Sequence, residues 1–333
     1  MNSFAYATPA NFTQARALLN EKRFKLPVLK AGGLDVLDHV KEGLYEPDLL
    51  VNIKRIRERE QPVSKLDGGG LRIEAMATLV DLVKSPLIAE GAPVIAQAVA
   101  HAATPQVRNV ATAAGNLLQR PRCWYYRNDQ FDCLKKGGAT CFAVDGENKF
   151  HAIFGDGPCH IVHPSNLAVA LMVCDATVHI DGRTEPLAIA GLFHGPADAG
   201  GVKSEHTLKP GEIVTSISVK AAPRSGFYAV KEKQSFDWPL VMVAVALELS
   251  GDTITSARVC AGAVAPVPWM LPKVAEALKG VNVGDEGAIK KAVAGCVDGA
   301  KPMRDNAYKL QLLPVAIRRA VLKAAGKLKE DLA

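Results

Sequence analysis

Apolar residues recur along the chain at two spacings, and the switches between them mark its elements. A short extended stretch near Ser3–Ala7 is followed by Ala15, Leu18 and Leu19 at helical spacing. Asn11 or Thr13 can cap that helix. Pro27–Lys30 reads as a strand, Leu34, Val36, Leu37 and Val40 return to helical spacing, and Leu49-Leu50-Val51-Asn52-Ile53 is extended again. Strand, turn, helix and strand in that order make a unit of α/β character.

Gly68-Gly69-Gly70 precedes the alternating Leu71-Arg72-Ile73-Glu74-Ala75, so a strand follows the glycines where a phosphate loop would need a helix. The stretch therefore reads as a hairpin tip. Val94, Ile95, Ala98, Val99 and Ala102 predict a helix over 93–103 that stops at Thr104-Pro105, because proline disfavours helical geometry in the residue before it. His163-Pro164-Ser165-Asn166 offers a helix cap ahead of Leu167, Val169, Ala170 and Leu171, and Asp175–Asp181 reads as strand and turn.

Pro223-Arg224-Ser225-Gly226 separates a second region, which opens with Phe227–Lys231 and the apolar run Val241–Leu249. Helices are expected around Val274–Leu278 and Leu310–Lys329, the latter with Leu313, Ile317, Val321 and Ala324 on one face and basic residues between them. A basic amphipathic helix can touch a membrane, but packing on its own domain accounts for this one. No internal repeat is visible.

With 333 residues, 48% hydrophobic and 22% charged, the chain has material for a large core and is not a disordered protein. Its longest apolar runs, at 167–174 and 240–247, fall short of the roughly 18–20 residues that cross a bilayer. The opening residues lack the basic region and apolar stretch of a secretory signal, so a cytoplasmic location is expected, or a periplasmic one if a signal-bearing partner carries the folded complex out. The net charge of +6 is dispersed, which argues against a nucleic-acid-binding arm.

Two loops are candidates for holding a phosphate. Gly32-Gly33 directly follows a strand, where glycine permits a sharp turn and close approach of free amides to a ligand. Alone, a glycine pair is more often just a tight turn. Thr112-Ala113-Ala114-Gly115-Asn116, a polar and turn-like stretch, is a second amide-rich segment, and the two together can enclose a dinucleotide. No Gly-x-Gly-x-x-Gly is present, so such a ligand would not bind in the Rossmann manner. Walker-type and Gly-x-Ser-x-Gly motifs are absent as well.

Four of the seven cysteines, Cys123, Cys133, Cys141 and Cys159, fall within 37 residues. Their spacing matches neither a zinc ribbon nor a ferredoxin, and it leaves open ordinary reduced thiols, zinc or an iron cluster. Arg120, Arg122, Arg127, Lys135 and Lys136 lie nearby and would help offset thiolate charge, and His151, His160 and His163 are close enough in sequence to replace one ligand. Cys174, Cys260 and Cys296 sit among apolar or small neighbours, as packing residues do.

Three segments taken in order, Lys30-Ala31-Gly32-Gly33-Leu34-Asp35-Val36-Leu37, Arg108–Leu117 and His163–Leu167, resemble the signatures of the FAD-binding medium subunit of molybdenum hydroxylases, the xanthine dehydrogenase and carbon monoxide dehydrogenase family. Leu208–Val214, Phe227–Lys231 and Ala261–Pro266 extend the likeness over nearly the whole chain. The insertion from Gln119 is similar to the branch of bacterial periplasmic aldehyde oxidoreductases whose flavin subunit also carries a [4Fe-4S] cluster.

The resemblance implies an α+β fold: a two-subdomain FAD-binding domain of the vanillyl-alcohol-oxidase-like (PCMH) type over 1–223, with the cysteine insertion at 119–160, then a smaller α+β C-terminal domain over 224–333. It implies FAD with its pyrophosphate against 30–37 and 112–116, Asn166 and Lys231 facing the flavin or its ribityl chain, and Val214 packed near it. It also implies Cys123, Cys133, Cys141 and Cys159 as ligands of the [4Fe-4S] cluster. The implied partners are a molybdenum-cofactor-binding large subunit and a [2Fe-2S] small subunit in a heterotrimer, plus an electron acceptor. The expected role is electron transfer through FAD in an aldehyde oxidoreductase, with no catalytic acid or base in this chain. Xanthine or another heterocycle as substrate, and a degenerate scaffold without FAD, are the alternatives.

Three positions depart from the family pattern. Leu34 stands where Thr or Ser is usual, Ala114 replaces the first glycine of Gly-Gly-Asn, and Asn166 replaces an aspartate. Losing that negative charge beside the flavin is expected to raise the flavin's potential.

Overall fold

The structure, a computed structural model, describes residues 3–328. Met1 and Asn2, and Lys329 at the end of the predicted last helix, lie outside the described residues.

The N-terminal unit is a parallel three-stranded sheet in which β1 (Ala5–Ala7) and β2 (Pro27–Lys30) flank β3 (Leu49–Asn52). Parallel neighbours need crossovers, and the helices Phe12–Leu19 and Val36–Lys41 supply them. Of the two cap candidates it is Asn11 that acts, accepting the Gln14 amide. The Gly32-Gly33 loop leaves the C-terminal end of β2, the end at which ligands sit in open α/β sheets.

An antiparallel five-stranded sheet follows, built from β4 (Val63–Lys65), β5 (Leu71–Glu74), β6 (Thr177–Ile180), β7 (Leu187–Ala188) and β8 (Val214–Val219), in the spatial order β4-β5-β8-β6-β7. Gly68–Gly70 joins β4 to β5 as the hairpin tip expected. In the same core as this sheet lies the helix Asn166–Val173, capped by Ser165, with all eight residues buried. A helix apolar all round belongs inside a core, which explains why its sequence shows no polar face.

The C-terminal sheet is antiparallel and runs β12 to β9 in order, with β9 (Ser225–Val230), β10 (Val241–Ser250), β11 (Thr253–Gly262) and β12 (Trp269–Met270). Along β10, Met242, Ala244 and Ala246 join the core of the first region, while Val241, Val243, Val245 and Leu247 join a second core under the helix Lys309–Ala324. Both faces are covered, so the strand reads as an unbroken apolar run. The amphipathic helix packs its apolar face on its own domain: Leu313, Ile317 and Val321 are fully buried.

Residues 119–160 have little regular structure, only the helix Trp124–Arg127 and a single turn at Leu134–Lys136. They are held from the C-terminal region instead. Lys309, fully buried, donates to the carbonyls of Phe150, His151 and Ala263 at 3.2, 2.9 and 2.6 Å. Asn306 adds bonds to the His151 and Ala152 carbonyls.

Candidate functional site: two neighbouring cavities

A cavity of about 620 Å3 opens beside the end of β2. It brings together the two loops singled out from the sequence: Ala31, Gly32, Gly33, Leu34, Asp35 and Val36 on one side, Thr112, Ala114, Gly115 and Asn116 on the other. The loops touch, since a Cβ on Gly32 would lie 2.4 Å from the Val110 carbonyl oxygen. Gly33 adopts φ +87°, a conformation that side chains disfavour.

The two loops are not equivalent donors. The amides from Gly32 to Asp35 donate to no acceptor among the described residues. Those of the second loop are spent: Ala113 on the Ala77 carbonyl, Ala114 on Ala75, Gly115 on its cap Thr112 Oγ1 and Asn116 on the Thr112 carbonyl. The expectation of a polar turn with free amides at 112–116 is therefore corrected. The stretch is a short helix, Ala113–Leu117, packed into the core, and it offers a wall where the first loop offers donors. Backbone donors left unpaired beside a cavity point to a ligand that supplies acceptors.

Asn166 and Val214 also line the cavity. Asn166 is buried and donates from Nδ2 to the Ala98 carbonyl at 3.2 Å. Lys30, Leu37, Ala113 and Lys231 do not line it. Ala113 is wholly in the core, and Lys231 stands one residue back, its Nζ donating to the carbonyl of His101, which does line the cavity. Leu34 is 44% exposed at the loop's tip.

Sequence reasoning missed much of the remaining wall. His39, Tyr45, Arg120, Arg122, Phe236 and Trp238 all reach it. Phe236 and Trp238 are exposed, and Arg122 stacks over the Trp238 ring at 5.1 Å. An exposed aromatic pair in a polar loop was the available signal.

The second cavity is small and enclosed, and Cys123, Cys133, Cys141 and Cys159 all border it, with Tyr126, Lys135 and His151 among the other walls. Burial pushes the Cys123 thiol up to about 11. Cys141 and Cys159 share a hydrogen bond that favours the Cys141 thiolate, held down to about 5, and keeps Cys159 protonated. Among the described residues no three His, Cys, Asp or Glu side chains are grouped closely enough to hold a metal ion.

Of the five cations expected to offset the thiolates, only Lys135 lines this cavity, and its ammonium is bonded to Glu205. Arg120 pairs with Glu205 and Arg122 with Asp35, while Arg127 serves both Asp35 and Asp38. Lys136 donates to the Asn128 carbonyl. His151, one of the three histidines close enough in sequence to replace a ligand, is buried with Nε2 3.3 Å from Cys123 Sγ, and its Nδ1 has no partner among the described residues. His163 is buried too, edge-on to Phe193. Cys174, Cys260 and Cys296 are buried in the cores.

Fold and cavity together define a nucleotide-cofactor-binding α+β protein of a non-Rossmann kind. Residues 2–221 match the FAD binding domain in molybdopterin dehydrogenase, and residues 226–324 match the CO dehydrogenase flavoprotein C-terminal domain. The chain belongs to this family of FAD-binding subunits of molybdenum hydroxylases, the flavin subunits of oxidoreductase complexes. It is 31% identical to the aldehyde oxidoreductase FAD-binding subunit PaoB of Escherichia coli over 95% of its own length and 96% of that protein's. It is 25% identical to the carbon monoxide dehydrogenase medium chain of Afipia carboxidovorans, covering 98% of each. Among solved structures it is similar to quinoline 2-oxidoreductase from Pseudomonas putida 86, with a TM-score of 0.74, 20% identity and 98% of each chain covered. Among the described residues no helix is long and apolar enough to cross a membrane.

Proposed function

We propose that the chain holds FAD in the larger cavity and a [4Fe-4S] cluster between its four thiols, as the flavin subunit of a molybdenum hydroxylase that oxidises aldehydes. Its partners are a molybdenum-cofactor-binding large subunit and a [2Fe-2S] small subunit. The convergence of Cys123, Cys133, Cys141 and Cys159 on one enclosed space carries the cluster reading. Soft thiolate donors set around a space suit a multi-atom cluster better than one tetrahedral ion. The identity to PaoB over nearly the whole chain supports the aldehyde substrate.

The larger cavity suits FAD, because its unpaired amides meet the need of a diphosphate for donors. The amides of Gly32–Asp35 hold the pyrophosphate, and the packed segment Thr112–Asn116 walls it. Asn166 and Val214, which line the cavity, would face the flavin or its ribityl chain, and Lys231 fixes the His101 carbonyl of that wall. Bound FAD supplies acceptance of electrons and their delivery to an acceptor. No side chain here needs to move a proton for the organic reaction, whose pocket belongs to the large subunit.

The test is anaerobic co-purification with the neighbouring chains, followed by cofactor analysis and an aldehyde screen. About four irons with matching sulfide per chain, one FAD, and bleaching of the flavin band by aldehydes are expected. About one zinc per chain overturns the cluster. Purines or N-heterocycles reducing the flavin where aldehydes do not would overturn the substrate.

A further inference from the structure

The loop with the unpaired amides and the segment that carries the first cysteine are joined through one carboxylate. Asp35 closes the loop, and residues 120–127 fold around its side chain. Oδ2 accepts the Arg120 amide at 2.8 Å, Oδ1 accepts Arg127 Nη2 at 2.7 Å, and Arg122 Nη2 lies 3.1 Å from the same oxygen. Arg127 in turn donates to the Pro121 and Arg120 carbonyls, and its amide donates to the carbonyl of Cys123. One turn along the helix that follows the loop, His39 bonds to Tyr126, which borders the thiol cavity.

Segment 119–160 has too little secondary structure to fix its own path. A group held by Cys123, Cys133, Cys141 and Cys159 would tie four points of it together, and free energy of metal binding is then free energy of folding. Ordering that segment sets Arg120, Arg122 and Arg127 against Asp35 and so pre-forms the amide cradle. A ligand entering a pre-formed cradle does not bear the cost of ordering it.

We propose that loading of the thiol cavity and binding of FAD are thermodynamically coupled, with Asp35 as the positioning residue that transmits the coupling. This rests on the reading of the four cysteines as a cluster's ligands. No bond is made or broken at Asp35, and by linkage the coupling is reciprocal.

The experiment uses the full chain stripped of iron and flavin, with half of it reconstituted anaerobically using ferrous iron and sulfide. FAD affinity is read from quenching of flavin fluorescence, and iron is counted separately. FAD is expected to bind at least about tenfold more tightly to the loaded chain, within the usual range of coupling energies. In Asp35→Asn that ratio collapses towards one while the iron count stays about four. A purely structural role would weaken both forms alike and leave the ratio standing. Should Asp35→Asn fail to fold, Arg127→Gln removes the Arg127–Asp35 bond from the other side and is expected to lower the ratio, with Arg127→Lys restoring part of it. Equal affinities in loaded and iron-free wild type, or an undiminished ratio in the variants, overturn the coupling. A chain that takes up no iron overturns the cluster reading, and the coupling falls with it.

Discussion

The Tyr126 hydroxyl and His39 Nε2 lie 3.0 Å apart, and the two residues face different cavities, Tyr126 the thiol cavity and His39 the larger one. The direction of the bond follows from the other ring nitrogen. His39 Nδ1 lies 2.8 Å from the Asp35 carbonyl, which can only accept, so Nδ1 carries the proton and Nε2 accepts from the tyrosine. Burial, with Arg127 and Arg120 close by, lowers the His39 pKa and keeps the ring neutral, although its bond to Asp35 acts the other way.

Tyr126→Phe therefore leaves a buried imidazole acceptor without its donor while keeping the ring that Arg120 stacks on at 4.9 Å. A stability loss of about 1–3 kcal/mol is expected from urea denaturation of the full chain. No loss would mean that the hydroxyl and His39 do not rely on one another.

Gly32→Ala places a Cβ against the backbone carbonyl of Val110, 2.4 Å from its oxygen, where no side-chain rotation can relieve the clash. The two loops must part, and the amides that follow Gly32 lose their alignment. FAD affinity is expected to fall more than about tenfold, equivalent to about 1.4 kcal/mol, in a flavin titration. Near-normal affinity would place the pyrophosphate elsewhere.

The parts of this protein that were legible in its sequence are those in which each residue answers to its immediate neighbours. Pro27–Lys30 followed by Gly32-Gly33, the Gly68–Gly70 hairpin and the Ser165 cap were readable because strand period, turn chemistry and capping are local. The segment 112–116 was misread because two of its amides are consumed by Ala77 and Ala75, nearly forty residues away, and no local pattern announces such acceptors. The same holds for Arg120, Arg122 and Arg127: beside cysteines in sequence, they turn to Asp35, Asp38 and Glu205 in space. The four cysteines were legible as a group, but that they share one cavity is a tertiary fact.

Asn166 is buried against the Ala98 carbonyl in the wall of the larger cavity. Asn166→Asp puts a carboxylate into that wall, and a negative charge there disfavours the reduced, anionic flavin. The flavin midpoint potential of the variant is expected to fall by tens of millivolts, given about 30 mV per 1.4 kcal/mol for a two-electron couple. A rise or no change in a spectroelectrochemical titration would count against Asn166 as the tuning residue.

Lys309 offers three protons to three carbonyls and has no carboxylate partner among the described residues, while burial pushes its pKa down to about 7. Lys309→Met keeps most of the volume and strands the carbonyls of Phe150 and Ala263, while Asn306 still donates to that of His151. A loss of about 3–5 kcal/mol is expected by thermal or urea unfolding, since each buried acceptor left unpaired costs about 1–3 kcal/mol. Limited proteolysis should then cut first within 140–160, the stretch this lysine anchors; unchanged stability would show that water replaces the ammonium without cost.

His163 gives the fold a definite pH dependence. It is fully buried, and burial holds its imidazole down to about 4, with Glu205 acting upwards and His206 downwards. In the unfolded chain the ring titrates near 6.5. Between those values the unfolded state takes up a proton that the native state refuses, so stability rises with pH across the window. The contribution is complete above about 6.5 and is lost as the pH falls towards 4. At pH 4.5 the loss is about 2.5 kcal/mol. His163→Gln, whose amide oxygen can still accept the Ser165 N–H, removes this share. Comparing urea midpoints at pH 7.5 and 4.5, the variant should lose about 2.5 kcal/mol less than wild type on acidification. An equal loss in both would mean that other groups account for the acid sensitivity and that His163 is charged inside the folded protein.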